Sequence, residues 1–188
     1  MSPVAADLEP FVTPTAIREW LGEPSMGEAR ADFLARAGSA AVRAEVSQIV
    51  NVVQGDPVVL NGSGSELVLL PELEVLDVAS VTLAGDPLVG GRDFEWDTAG
   101  RLYRTRGRRW PLHPRILHVV YDHGWWPWTA GFQAAVTVCL EVAARVNRDP
   151  GLQSERIGDW SRAFVPTAGR SQPTESEKRT LDPLRRER

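Results

Sequence analysis

The hydrophobic period of this chain changes twice, and that limits the folds open to it. Up to about Val53, and again after Pro127, apolar residues recur at three- and four-residue steps, the period of a helix. Between Val58 and Tyr121 they come instead in short runs rich in branched residues. Asn61-Gly62-Ser63-Gly64, Pro71-Glu72 and Gly85-Asp86-Pro87 separate those runs, as turns separate strands. Sequential strands with short links pair antiparallel more readily than parallel. The pattern predicts an α+β fold with an antiparallel sheet between helices.

Local signals sharpen the elements. Thr13 suits an N-cap, Pro14 the first helical position and Gly22 a left-handed C-cap, which predicts a helix over 13–22 with Ile17, Trp20 and Leu21 as its apolar stripe. A second helix is expected over 28–53. Its small residues (Ala35, Ala37, Gly38, Ala40, Ala41, Ala44) would let a neighbouring helix come close, and Gly55-Asp56-Pro57 would end it. Phe94 and Trp96 alternate with Asp93, Glu95 and Asp97, and the chain then turns back through Leu102 and Tyr103 as a hairpin. A last strand is expected over Ile116 to Tyr121, within a β region of 58–121. A third helix follows over 129–148, capped by Thr129, with Phe132, Val136, Cys139, Leu140, Ala143 and Val146 on one face. A short β-like stretch from Ile157 to Val165 precedes the tail.

Length and composition remove several classes of function. At 188 residues, with 43% hydrophobic and 24% charged residues, the chain can bury a core without being disordered wholesale. A net charge of −4 is the wrong sign for a protein whose main task is gripping nucleic acid. One cysteine, Cys139, excludes an intrachain disulfide and a zinc site with two or more thiolates. The opening MSPVAADLEPFVTP has neither a basic nor an apolar block, so no signal peptide is expected. No apolar run is long enough for a membrane helix, and a cytosol-like setting is expected.

The residues that would carry chemistry do not assemble. His113, His118 and His123 are evenly spaced, but on a continuous strand His118 faces away from the other two, and those lie about 30 Å apart. Cys139 falls on an apolar helix face, where it reads as a small hydrophobe. The glycine-rich Asn61-Gly62-Ser63-Gly64-Ser65 lacks the lysine and following helix of a phosphate loop. No catalytic constellation, metal set or cofactor motif is expected.

Three features point to partners instead. Arg101, Arg104, Arg106, Arg108, Arg109 and Arg115 fall within fifteen residues that contain Trp110 and no acid. Arginines so placed suit either nucleic-acid phosphates or an acidic face on a neighbouring subunit, for instance Glu19, Glu23 and Glu28. Seven tryptophans are many for this length, and Trp125, Trp126 and Trp128 share one loop, a surface suited to a neighbour. The tail from Pro166 is polar, yet Thr174 and Glu177 have capping-box spacing, and Leu181 and Leu184 share a face. It reads as a segment that orders on a partner.

The order of these parts resembles a known family. Tyr121-Asp122-His123-Gly124 before the third helix, and Ser154-Glu155-Arg156-Ile157-Gly158-Asp159-Trp160-Ser161 after it, are similar to segments in head-to-tail connector (adaptor) proteins of siphophages infecting actinobacteria. Leu70-Pro71-Glu72-Leu73 and Asp93-Phe94-Glu95-Trp96 look similar too, so the likeness runs from about Thr13 to the basic C-terminus. Two departures are the more aromatic tryptophan loop and Pro183 in the tail.

The resemblance implies a non-enzymatic virion protein of the neck, assembled in the host cytoplasm. Its connector domain, 1–165, would be a helical core carrying a β insertion. An extended C-terminal arm, 166–188, would bind the portal protein through Arg179, Leu181, Leu184, Arg185 and Arg186. Copies would form a ring, usually dodecameric, through which DNA passes without sequence-specific contact. Arg104, Arg106, Arg108, Arg109 and Trp110 would meet a neighbouring subunit or the DNA channel. Trp125, Trp126 and Trp128 would face the tail side, where the next neck or tail protein docks. On this reading, deleting Ser171 to Arg188 leaves the domain folded and abolishes portal binding. The rivals are a nucleic-acid-binding module built on the Arg101–Arg115 hairpin, an enzyme with a pocket between helix and sheet, and another neck protein such as the stopper.

Overall fold

A computed structural model describes residues 8–147, 154–157, 160–163 and 171–186, with backbone alone for 154–157 and 160–163. The chain is α+β and divides into two compact units. One is helical and discontinuous, Glu9–Ser47 with Pro127–Glu187; the other is the β segment Gln48–Trp126 between its two halves.

In the helical unit, α1 spans Pro14–Leu21, with Thr13 Oγ1 accepting from Ala16 N and Gly22 closing it in the left-handed conformation. Of its predicted stripe only Ile17 is buried; Trp20 is 54% exposed. A helix of eight residues has two turns, and here only one of its side chains is fully buried. Helix α2 spans Glu28–Val46, shorter than the predicted 28–53, because Ser47 turns left-handed and caps it seven residues early. Helix α3 spans Ala130–Asn147, and the Thr129 side chain accepts from Phe132 N at 3.4 Å.

Helices α2 and α3 pack through small residues. A Cβ added to Gly38 would stand 2.5 Å from the carbonyl oxygen of Cys139, so only glycine allows this approach. The buried face of α3 is Phe132, Ala135, Val138, Cys139, Val142 and Ala143. Val136 and Leu140, predicted on that face, are half-buried, since close packing favours the alanine side of the helix. Cys139 is fully buried, its Sγ 3.5 Å from Ser39 Oγ, and burial pushes the thiol pKa up. Ser39 in turn donates to Ala35 O at 2.7 Å and accepts from Phe11 N at 2.9 Å, so this buried hydroxyl is satisfied.

In the β unit, β1 (Val53–Leu60), β3 (Val75–Leu83), β4 (Asp86–Leu88) and β7 (Leu117–His123) form an antiparallel sheet in the order β1-β7-β3-β4. A three-stranded sheet joins β2 (Leu67–Leu69), β6 (Arg101–Arg104) and β5 (Phe94–Trp96) in the order β2-β6-β5. Gly55-Asp56-Pro57, predicted to end a helix, instead lies inside β1. A register shift between Val53 and Asp56 absorbs it, with Gly55 at φ 65°.

The central strand β7 alternates cleanly: Leu117, Val119, Tyr121 and His123 point into the core, His118 outward. His123 Nε2 lies 3.2 Å from Asp56 Oδ2, and both side chains are fully buried. Gly124 follows at φ 102°, and a Cβ there would meet Asn51 O at 2.2 Å. The Tyr-Asp-His-Gly turn therefore has a steric reason for its glycine.

Beyond α3, β8 (Ser154–Ile157) and β9 (Trp160–Ala163) pair as a hairpin; β9 falls within the predicted Ile157–Val165 stretch and β8 begins three residues before it, while Gly158, Asp159 and 164–170 lie outside the described residues. Helix α4 then spans Glu175–Leu181 and runs into a 3-10 turn, Asp182–Leu184.

Candidate functional site

Asp93 organises the arginine hairpin. Its carboxylate accepts from Val89 N at 3.1 Å and from Arg92 at 2.8 Å, with Arg108 at 3.4 Å. Hydrogen bonds from Arg92 and the Val89 amide, helped by both arginine charges, hold its pKa below the usual carboxylate range. Arg104 donates to the Asp93 carbonyl at 3.2 Å and stacks its guanidinium 5.1 Å from the Trp110 ring centre. Arg101 pairs with Asp97 at 3.6 Å. Arg106 and Arg109 remain exposed at the loop tip, and neither side chain forms an ion pair among the described residues.

Trp110 does not belong to that exposed set. It is fully buried, and its indole N–H donates to Leu102 O at 3.2 Å. An arginine-flanked tryptophan reads in sequence as a contact residue; in three dimensions it anchors the tip to the core of the β unit.

The segment after Trp110 is pinned to the glycine-rich loop. Gly62 N donates to His113 O and Gly64 N to Trp110 O, both at 2.9 Å, while Trp110 N donates to Ser65 O at 2.8 Å. Arg115 N donates to Asn61 Oδ1 at 2.8 Å. A Cβ on Gly62 would overlap Pro111 O at 1.7 Å. The Asn-Gly-Ser-Gly stretch is thus a clamp under the basic loop, and Leu112 stands on that platform 83% exposed.

The tryptophan loop splits between roles. Trp125 is buried, and its amide donates to Val50 O at 2.9 Å, which removes it from the docking candidates. Trp126 is 37% and Trp128 74% exposed.

The C-terminal segment departs from the expectation of an extended arm. Residues 171–186 fold onto the helical unit, with Leu181 and Leu184 fully buried. Arg145 of α3 donates to both carboxylate oxygens of Glu177, and Arg185 pairs with Glu45 of α2. The capping box at Thr174 and Glu177 is formed in both directions. Burial alone would raise the Glu177 pKa; the Arg145 guanidinium and the Thr174 amide overcome that and hold it at about 2. Glu141 is pushed up by sharing a hydrogen bond with Glu177 and by burial. Of the five proposed portal-binding residues, only Arg179 is exposed; Arg185 and Arg186 are half-buried. The physical reason is reach: α2 and α3 offer an apolar seat within the same chain, so the Leu181–Leu184 face needs no second molecule to be covered.

Two of the three acids expected to meet the arginines, Glu23 and Glu28, already have partners within the chain. Glu28 Oε2 accepts from both terminal nitrogens of Arg18, at 2.8 and 2.6 Å, and Glu23 accepts from Asn147 at 3.0 Å. Sequence reasoning missed Asp93 as the hub of the hairpin. The signal was there: Asp93 follows Arg92 directly and, with Glu95 and Asp97, is one of three acids just before the arginine run.

The fold has counterparts among solved structures. A chain in the neck of an empty gene transfer agent (GTA) particle, computed with C6 symmetry, superposes with a TM-score of 0.59 at 16% identity. That match covers 97% of this chain and 94% of the other. A chain in the neck of the native particle, computed with C12 symmetry, gives 0.52 at 17% identity over 90% and 94%. A chain in the virion of the native particle gives 0.55 at 16% identity over 97% and 94%. The chain shares its fold with these proteins. No protein-family profile matches it, and no curated protein matches it by sequence.

Proposed function

We propose that this chain is a structural subunit of the neck of a tailed-phage-like particle, a head-to-tail connector of the adaptor type. The observation that carries the proposal is the likeness of fold over 97% of the chain to a protein in a symmetric particle neck. The motif order seen in sequence supports it independently and points to siphophages of actinobacteria.

On this reading the protein works by assembly and not by catalysis. Copies form a ring on the portal, DNA passes through the middle, and the far surface receives the next neck or tail protein. Each subunit contributes modest contacts, and the closed ring adds them up through multivalency. Trp126 and Trp128 are the aromatic candidates for the tail-side contact. Arg179 is the C-terminal residue open to a portal as the segment stands; binding through Leu181 and Leu184 requires α4 to leave its seat. A position one step down, as the stopper, differs in place and not in class.

The test is to mix the purified protein with the portal encoded beside it and examine the product by negative-stain electron microscopy. An added ring of density on the portal is expected. A folded protein that leaves the portal bare refutes the adaptor assignment.

A further inference from the structure

A groove of about 480 Å³ opens in the β unit between β3–β4 and β5. Asp77, Ser80, Leu88, Phe94, Glu95 and Trp96 line it. Asp77 and Glu95 are exposed, and neither side chain has a cation or hydrogen-bond partner among the described residues. Asp77 also stands opposite Asp122 across the β3–β7 pair, like charge against like. Two uncompensated carboxylates beside a half-buried tryptophan make a site suited to guanidinium groups, which pair with carboxylates and stack on rings.

The same unit carries the complement. Arg106 and Arg109 project from the loop that Trp110, Asp93 and the glycine clamp hold in place, and among the described residues they have no acidic partner. Because the loop is anchored at both ends, little ordering entropy opposes its docking. A ring of identical subunits requires such a pair of unlike patches, since head-to-tail contacts join two different surfaces of the same chain.

We infer that the Arg106–Arg109 tip of one copy docks in the Asp77–Glu95–Trp96 groove of the next. This rests on the ring reading above. Nucleic acid is the weaker occupant for the tip. Arg92, Arg104 and Arg108 are already spent on Asp93 and Trp110, so few cations remain for phosphates on a chain of net charge −4.

The experiment uses full-length protein and charge reversal. R106E/R109E and D77R/E95R are expected each to weaken ring formation at least about tenfold, judged by native mass spectrometry and electron microscopy with and without the portal. All four positions are exposed, and circular dichroism checks that both variants stay folded. Mixing the two variants is expected to restore rings of alternating subunits, because the reversed tip meets the reversed groove and the native tip meets the native groove. The fourfold variant is expected to recover rings to within about threefold of wild type. As a second readout, R106C mixed with E95C is expected to give disulfide-linked heterodimers on oxidation, with Cys139 protected by burial.

If both reversed variants form rings like wild type, this contact is refuted while the neck reading stands. If the variants form normal rings and R106E/R109E alone loses salt-sensitive binding of duplex DNA, the tip is a phosphate contact and the inference falls. If wild type forms no ring under any of these conditions, the neck reading itself fails and takes the inference with it.

Discussion

Substituting Gly38 by alanine sets two effects against each other at the α2–α3 contact. In an exposed helix the change would stabilise by about 1 kcal/mol, because alanine loses less backbone entropy. Here the new Cβ would lie 2.5 Å from the Cys139 carbonyl oxygen, 3.2 Å from its carbon and 2.8 Å from its Sγ. The first distance falls about 0.9 Å short of ordinary contact, and the obstacle is backbone, which cannot rotate away. Either the helices separate along their shared face or both bend, and overpacking of this kind costs roughly 1–3 kcal/mol. With the obstruction on a carbonyl the upper part of that range applies, so a net loss of about 1–2 kcal/mol is expected. For a chain of this size that lowers Tm by roughly 3–6 °C. Chemical denaturation followed by helical circular dichroism measures it. Adding Cys139→Ala removes the thiol and leaves the carbonyl, so G38A/C139A is not expected to regain stability. A G38A protein as stable as wild type, or a double variant that recovers fully, would show that the close approach does not govern this interface.

Seating of α4 should depend on acid. Glu177 has its pKa held at about 2 against an ordinary 4.5, so its contribution is fully present above 4.5 and lost as pH falls toward 2. Glu141, shifted upward, works in the opposite sense, its favourable contribution being lost as pH rises. The difference in stability between wild type and Glu177→Gln is expected to shrink across pH 4.5 to 2; a constant difference would remove Arg145–Glu177 as the cause. Leu181→Ala should cost about 2–5 kcal/mol, and deleting Ser171 to Arg188 should destabilise the helical unit instead of leaving it untouched, as thermal melts will show. Trp110→Ala is expected to cost about 3–5 kcal/mol, against about 1–2 kcal/mol for Trp110→Phe, which keeps most of the ring and leaves Leu102 O without its donor. Near-equal stability of the two variants would argue against a core role for the indole.

Some of this molecule is written in local sequence. Thr13, Gly22, Thr129 and the Thr174–Glu177 pair act at the helix ends where short-range signals place them, because a cap satisfies amides only two or three residues away. The Phe94–Trp96 and Arg101–Arg104 hairpin is legible for the same reason: alternation and an intervening turn lie within one short span. The change of period also separates helical from β segments correctly in kind, though not at the boundary near Ser47 and Val53. That boundary depends on a left-handed serine and a bulge at Gly55, which side-chain pattern does not announce.

What remained hidden depends on residues far apart in the chain. Burial of Trp110 follows from β6 and the Asn61–Ser65 clamp, and burial of Leu181 from α2 and α3, more than thirty residues away. Likewise Asp93 holds Arg92 and Arg108 through its carboxylate and Arg104 through its backbone carbonyl, whereas Arg106 and Arg109 have no such partner among the described residues. Six arginines in one stretch look equivalent on the page. Composition and periodicity therefore determined the class of fold and which stretches are helical or β in kind, since those rest on neighbours in sequence. Which tryptophans anchor and which arginines stay free was decided only by tertiary packing, since burial and ion pairing are properties of distance in space.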